Sequence, residues 1–199
     1  MVVSGADLIF FFFLLLLAGT MNPAARAETP SAGSRNSTEF IRKCCAATLY
    51  PGLCYSSLAG YASVVQQNAV ELAHVAANLT LARLRSLTSH VSAAGRGTTG
   101  LEHAALLDCS DLLDDAVGWA RRAEAELKGL GKAVGPEVAW RVSNALTWMS
   151  TALTDEVTCR DGFVRVAAGP VKTDVCYRIR KVKKYTSNTL ALIHRLGFS

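Results

Sequence analysis

The sequence predicts an all-α, disulfide-bonded fold: an antiparallel up-down-up-down four-helix bundle preceded by an N-terminal helical hairpin. Three observations carry that expectation. From Ala62 onward, Ala, Leu, Val, Glu and Arg recur at helical spacing with no sustained strand alternation. The linkers between these stretches are short and rich in helix breakers, which makes consecutive helices antiparallel neighbours. Six cysteines stand behind an export signal, where bridges are expected rather than reactive thiols or metal ligands.

That signal opens the chain. Leu8 through Ala18 is an unbroken apolar run of about 17 Å as a helix, short of the ~30 Å hydrocarbon core of a bilayer. Ala25-Arg26-Ala27 supplies a small-x-small cleavage site, so residues 1–27 read as a signal peptide and Glu28 as the mature start. The product is then secreted, with no membrane attachment after cleavage. Residues 28–38, rich in Pro, Gly, Ser and Asn, read as a flexible leader to a domain spanning 39–199. Residues 40–61 form a hairpin of two short helical stretches flanking Tyr50-Pro51-Gly52, where Pro-Gly breaks the helix and turns the chain.

The bundle occupies 62–197. Its first helix runs from about Ala62 to Ala94 and stops at the breaker run from Gly95 to Gly100. A second, from about Leu101 to Lys128, carries Ala105, Cys109, Leu112, Ala116 and Ala120 on one stripe. The third opens at Pro136, a favoured first-turn residue, and ends near Cys159. The fourth starts near Pro170 and carries Val175, Ile179, Val182 and Ile193. If the second and third helices turn near Lys132, Cys109 lies 23 residues before the turn and Cys159 27 after it. Four residues of mismatch is ~6 Å along a helix, so these two can bridge. Cys45 and Cys54 straddle the Pro-Gly turn and can close the hairpin. Cys44 and Cys176 are left either to pair with each other or to stay free.

Catalysis finds no support in the residues. Gly-x-Ser-x-Gly is absent, which removes a hydrolase elbow. Glu71-Leu72-Ala73-His74 matches one Glu-x-x-His element of a di-iron bundle but has no second copy, so neither a metal nor a cofactor is expected. Export excludes nucleic acid as a partner. Glu102 to Glu126 holds seven acids against Arg121 and Arg122. Such a run is first a solvated face, and second a patch that steers a basic partner. Arg178, Arg180, Lys181, Lys183 and Lys184 make the last helix basic, again a solvated face or a contact for acidic wall polysaccharide. Trp119, Trp140, Trp148 and Phe163 read as bundle packing. Asn36 and Asn78 head two N-glycosylation sequons and should face solvent.

The run Phe40-Ile41-Arg42-Lys43-Cys44-Cys45-Ala46-Ala47-Thr48-Leu49-Tyr50-Pro51-Gly52-Leu53-Cys54 resembles the opening of the plant invertase/pectin methylesterase inhibitor domain. That family has Cys-x-x-Thr-x-Tyr/Asn-Pro with a second Cys nine positions after the first. The resemblance continues at Leu107-Asp108-Cys109-Ser110-Asp111, at Ser143-Asn144-Ala145-Leu146-Thr147, at Thr158-Cys159-Arg160-Asp161-Gly162-Phe163 and at Thr186-Ser187-Asn188-Thr189-Leu190. It implies a non-enzymatic inhibitor, with bridges Cys45–Cys54 and Cys109–Cys159. It also implies an apoplastic protein, the vacuole being the second choice. The implied partner surface lies on the second and third helices at Asp111, Asp115, Thr158 and Asp161. Leu113 and Gly118 depart from the family's usual Tyr and acidic residue there. Invertase-directed members resemble one another in a Pro-Lys-Phe tripeptide between those helices. Gly129-Leu130-Gly131-Lys132-Ala133-Val134-Gly135-Pro136 lacks it, which favours pectin methylesterase over acid invertase as the target. A bundle carrying a small apolar ligand or lipid is the more distant alternative.

Overall fold

Which segments become helices is decided by capping as much as by periodicity. The computed structural model describes residues 32–197; the signal peptide and Glu28–Ser31 lie outside them. Helix α1, Ala32–Ala46, is followed by α2, Pro51–Leu58, a 3₁₀ turn, Ala59–Tyr61, and α3, Ala62–Val65. Four long helices complete the chain: α4, Ala69–Ala94, α5, Gly100–Leu130, α6, Pro136–Gly162, and α7, Pro170–Leu196. No strand occurs among the described residues.

Three boundaries differ from the sequence expectation. The leader was to extend to residue 38, but α1 already begins at Ala32. Its later turns bury Ile41, Cys44 and Cys45. Once that packed nucleus exists, each residue added towards the N-terminus gains one hydrogen bond and the helix propagates backwards. The Pro-Gly pair does not form the hairpin turn. Pro51 instead starts α2, where its missing N–H costs nothing. The reversal falls on Ala47–Tyr50, where the Thr48 N–H and hydroxyl both donate to the Cys45 carbonyl at 3.0 and 2.8 Å. Finally, the expected helix from Ala62 is interrupted. Gln66 and Gln67 take φ of 44° and 64°, and Asn68 caps α4 by accepting from the N–H groups of Val70 and Glu71 at 2.9 and 3.2 Å.

The long helices close a ring in which α4 packs on α5, α5 on α6, α6 on α7 and α7 on α4. Helices α5 and α7 therefore occupy opposite corners. Leu72, Leu84, Leu106, Leu113, Leu127, Met149, Ile179 and Ile193 fill the interior. Among the polar groups there, the Thr80 and Thr189 hydroxyls lie 2.9 Å apart, and Thr189 donates to the Ala76 carbonyl. The hairpin is fastened to α7 by Asn188, which accepts from the Tyr50 N–H and donates to the Tyr50 carbonyl, both at 3.0 Å.

Bridges Cys45–Cys54 and Cys109–Cys159 are both present, with Cα separations of 5.5 and 4.4 Å. The α5–α6 linker, residues 131–135, centres on Ala133 rather than Lys132, which puts Cys109 24 residues before its centre and Cys159 26 after it. Gly135, at φ 56°, makes the sharp entry into Pro136 that other residues would resist. Cys44 and Cys176 are free thiols, Cys44 buried and Cys176 half-buried. Burial pushes the Cys44 thiol up, against a smaller downward pull from Arg195.

Candidate partner-binding surface on helices α5 and α6

Residues spaced three and four apart share a helix face, and on α5 this rule aligns Asp111, Asp115, Trp119, Arg122 and Glu126. The same spacing on α6 aligns Arg141, Asn144, Trp148, Asp155 and Thr158. The two stripes run antiparallel along the outward groove between the helices. At its loop end, Arg141 donates to Glu126 at 3.1 Å and to Glu137 at 2.8 Å, while Asn144 donates to Glu126 at 3.2 Å. Gly129 permits this close approach, since a Cβ there would collide with the Arg141 guanidinium.

Midway along the groove, the Trp119 and Trp148 rings stack with centroids 5.4 Å apart and planes 9° from parallel. The Arg122 guanidinium lies over both rings, at 4.7 and 5.4 Å from their centroids. One turn further, Asp155 approaches Asp115. Burial raises the Asp155 pKa, the Asp115 charge raises it further, and the Trp119 indole N–H acts in the opposite sense. Its Oδ2 has no hydrogen-bond partner among the described residues. The Cys109–Cys159 bridge then ties the helices beneath the surface.

Asp111, Asp115 and Thr158 are exposed on these two stripes, and Asp161 is exposed one turn beyond Thr158. Two of the four are partly engaged within the protein. Thr158 donates its hydroxyl to the Thr154 carbonyl at 3.0 Å, and Asp161 accepts from Arg160 at 2.6 and 2.9 Å. Sequence reasoning missed Trp119, Trp148, Arg122 and Asp155. A signal existed: Trp119 follows Asp115 by four residues, and Trp148 precedes Asp155 by seven, so both pairs share a face. Of the aromatic residues assigned to packing, Phe163 is fully buried, but Trp140 is 60% exposed because its position on α6 faces away from every neighbouring helix. Asn36 and Asn78 are exposed on α1 and α4, away from the α5–α6 groove. His74 lies 2.8 Å from Glu124 across the α4–α5 contact, and no group of three metal-binding side chains occurs among the described residues.

A four-helix bundle with a stapled hairpin and an outward acidic and aromatic groove defines a class of rigid, disulfide-tied binding proteins. Residues 39–192 match the family described as plant invertase/pectin methylesterase inhibitor, and the chain belongs to it. It is 39% identical to pectinesterase inhibitor 11 of Arabidopsis thaliana, covering 95% of this chain and 96% of that protein. Pectinesterase inhibitor 9 of the same plant is 37% identical over 94% and 93% of the two chains. A "21 kDa protein" of Daucus carota is 33% identical over 99% and 97%. The fold resembles the crystal structure of a mutant pectin methylesterase inhibitor from Arabidopsis, with a TM-score of 0.62, 20% identity, and coverage of 77% of this chain and 95% of that one. The family is described as one of inhibitors, and both of these pectinesterase inhibitors match this chain along nearly their whole length.

Proposed function

We propose that this protein is a secreted inhibitor of pectin methylesterase that seats the α5–α6 groove in the enzyme's substrate cleft at one-to-one stoichiometry and excludes pectin. The observation that carries this reading is the stacked Trp119–Trp148 pair beside Asp115 and Asp155 on a surface tied by Cys109–Cys159. Trp and Arg are the side chains that most often anchor protein interfaces, and carboxylates around them complement a basic partner. Because the groove is preformed on two packed helices, little side-chain ordering opposes association. Asp111, Asp115, Thr158 and Asp161 form its polar margin in this reading. The names of the relatives support pectin methylesterase as the target, as does the α5–α6 linker, which lacks Pro-Lys-Phe.

The test is a titration of the oxidised Glu28–Ser199 chain against pectin methylesterase and acid invertase at mildly acidic pH. Loss of esterase activity with an equivalence point near one-to-one, invertase remaining active, is the expected result. Invertase inhibition with the esterase untouched would reverse the target, and activity of both enzymes at saturating protein would return the apolar-ligand carrier to first place.

A further inference from the structure

At the corner of the bundle diagonal to the acidic groove, the fold builds a second, oppositely charged cleft. The Asn188–Tyr50 hydrogen bonds hold the hairpin turn beside α7, and an open cleft of about 590 Å³ lies between them. Leu49, Tyr50, Tyr177, Arg180, Lys181 and Lys184 line it. Leu49 is 70% exposed and Tyr177 58%, so the cleft presents apolar surface beside its cations. The Lys184 ammonium stands 5.2 Å from the Tyr50 ring centroid. Neither Arg180, Lys181 nor Lys184 has a carboxylate partner among the described residues, whereas nearby Arg178 is held by Asp174 at 2.9 Å. Lys181 also lines a smaller cleft on the α4 side, where Arg83 lies over the Tyr185 ring at 5.4 Å. The two clefts thus share Lys181, and together they set cations and tyrosine rings in a strip on either side of α7.

We infer that this strip is a binding site for an acidic polysaccharide, a chain of pyranose rings bearing free carboxylates such as de-esterified polygalacturonate. Carboxylates match the unpaired cations, and the C–H faces of sugar rings match the electron-rich faces of Tyr50 and Tyr177. A phosphorylated peptide or an anionic lipid surface answers the charge and leaves the tyrosines without a role. The choice of a uronate polymer rests on the esterase-inhibitor reading, because hydrolysis of uronate methyl esters leaves the carboxylates that the strip selects. Since α5 and α7 are diagonal corners, a chain bound here leaves the α5–α6 groove open. The inhibitor would then be held on the de-esterified polymer that its target produces.

The experiment is affinity electrophoresis of the oxidised Glu28–Ser199 chain through gels containing de-esterified polygalacturonate, fully methyl-esterified pectin or polyglutamate, with no esterase present. The wild type should be retarded by polygalacturonate and pass freely through esterified pectin. Arg180→Glu/Lys184→Glu should weaken retardation about tenfold, and Arg96→Glu/Arg165→Glu, equal in net charge but off the strip, should leave most of it intact. The charge-neutral Tyr177→Ala should weaken it about threefold while the melting temperature stays unchanged. Equal loss in both charge-reversed variants, or polyglutamate retarding the wild type as strongly as polygalacturonate, would overturn the site and leave only net-charge attraction. No retardation of a protein that still inhibits the esterase would also reject the strip while preserving the inhibitor reading. Retardation without inhibition would do the reverse.

Discussion

On the outward side of α6, Asp155 lines a groove with Asp115 and Trp119; on its inward side, the next residue, Glu156, is fully buried against Thr186 of α7. Both carboxyls titrate above their ordinary range, and the reasons differ. Asp155 is half-buried, and a neighbouring carboxylate adds to the effect of burial. Glu156 is pushed up to about 8, first by burial, with Thr186 and Lys183 pulling down and Asp155 adding slightly. Its Oε1 accepts from the Thr186 hydroxyl, and Oε2 has no partner among the described residues. Partial burial shifts the Asp155 carboxyl, while Asp115 beside it stays exposed and offers acidic charge to a partner. Full burial holds the Glu156 carboxyl neutral over a wider range, because ionising it there would cost more than leaving it protonated.

The largest effect is expected where the two sides meet. Removing the Cys109–Cys159 bridge with Cys109→Ser/Cys159→Ser releases a constraint spanning 50 residues. It should cost about 4 kcal/mol in denaturant unfolding, and inhibition should fall with it because the two stripes lose their register. Full potency with a much lower melting point would mean that helix packing alone aligns the groove.

Next comes the inward carboxyl. A folded-state pKa raised above the unfolded 4.5 means that the native protein holds the extra proton between 4.5 and about 8. The contribution of this one group to stability is therefore fully present below pH 4.5 and is lost as pH rises towards 8, by on the order of a few kcal/mol. Glu156→Gln, which keeps the shape and an acceptor for Thr186, should flatten a melting-temperature profile measured over that window. A slope equal to that of the wild type would assign the decline to other groups.

On the outward side, effects should appear in binding; Trp148, which also packs against the core, is the position whose truncation should lower stability as well. Trp148→Ala removes the stacked partner of Trp119 and the seat of Arg122, and should weaken esterase affinity by about 2 kcal/mol, measured calorimetrically. Unchanged affinity would move the interface off this groove. Asp115→Asn should have the smallest effect, about 1 kcal/mol or less in affinity, since the site is exposed. It should also bring the Asp155 pKa down, because one of the two causes raising it disappears; NMR titration of Asp155 reads this directly.

The groove was half legible in the sequence. Asp111, Asp115, Thr158 and Asp161 could be placed through the family pattern, and the acidic run on α5 was visible as composition. Trp119 and Trp148 were read as packing because a large aromatic residue at helical spacing is compatible with either side of a helix. Both do pack against the core, and only the contact of α5 with α6 decides that the two half-buried rings also stack on each other. Glu156 was invisible for a related reason. Within Asp155-Glu156-Val157-Thr158, nothing local distinguishes the carboxyl aimed at solvent from the one aimed at Thr186.

By itself, the sequence determined the four long helices and their antiparallel order, because helical periodicity and breaker-rich linkers act over short stretches of chain; cysteine spacing allowed the two bridges, and the family resemblance implied them. It did not determine where α1 begins, or that the chain breaks at Gln66–Gln67 before α4, because those boundaries balance local propensity against packing and capping. Tertiary structure alone brought Tyr50 to Asn188, 138 residues away, and so made a basic cleft from a hairpin turn and the last helix. It alone left one of two neighbouring carboxyls half-buried beside Asp115 and put the other in the core. Environment, and with it charge state and accessibility, belongs to the packed arrangement of helices and not to any one of them.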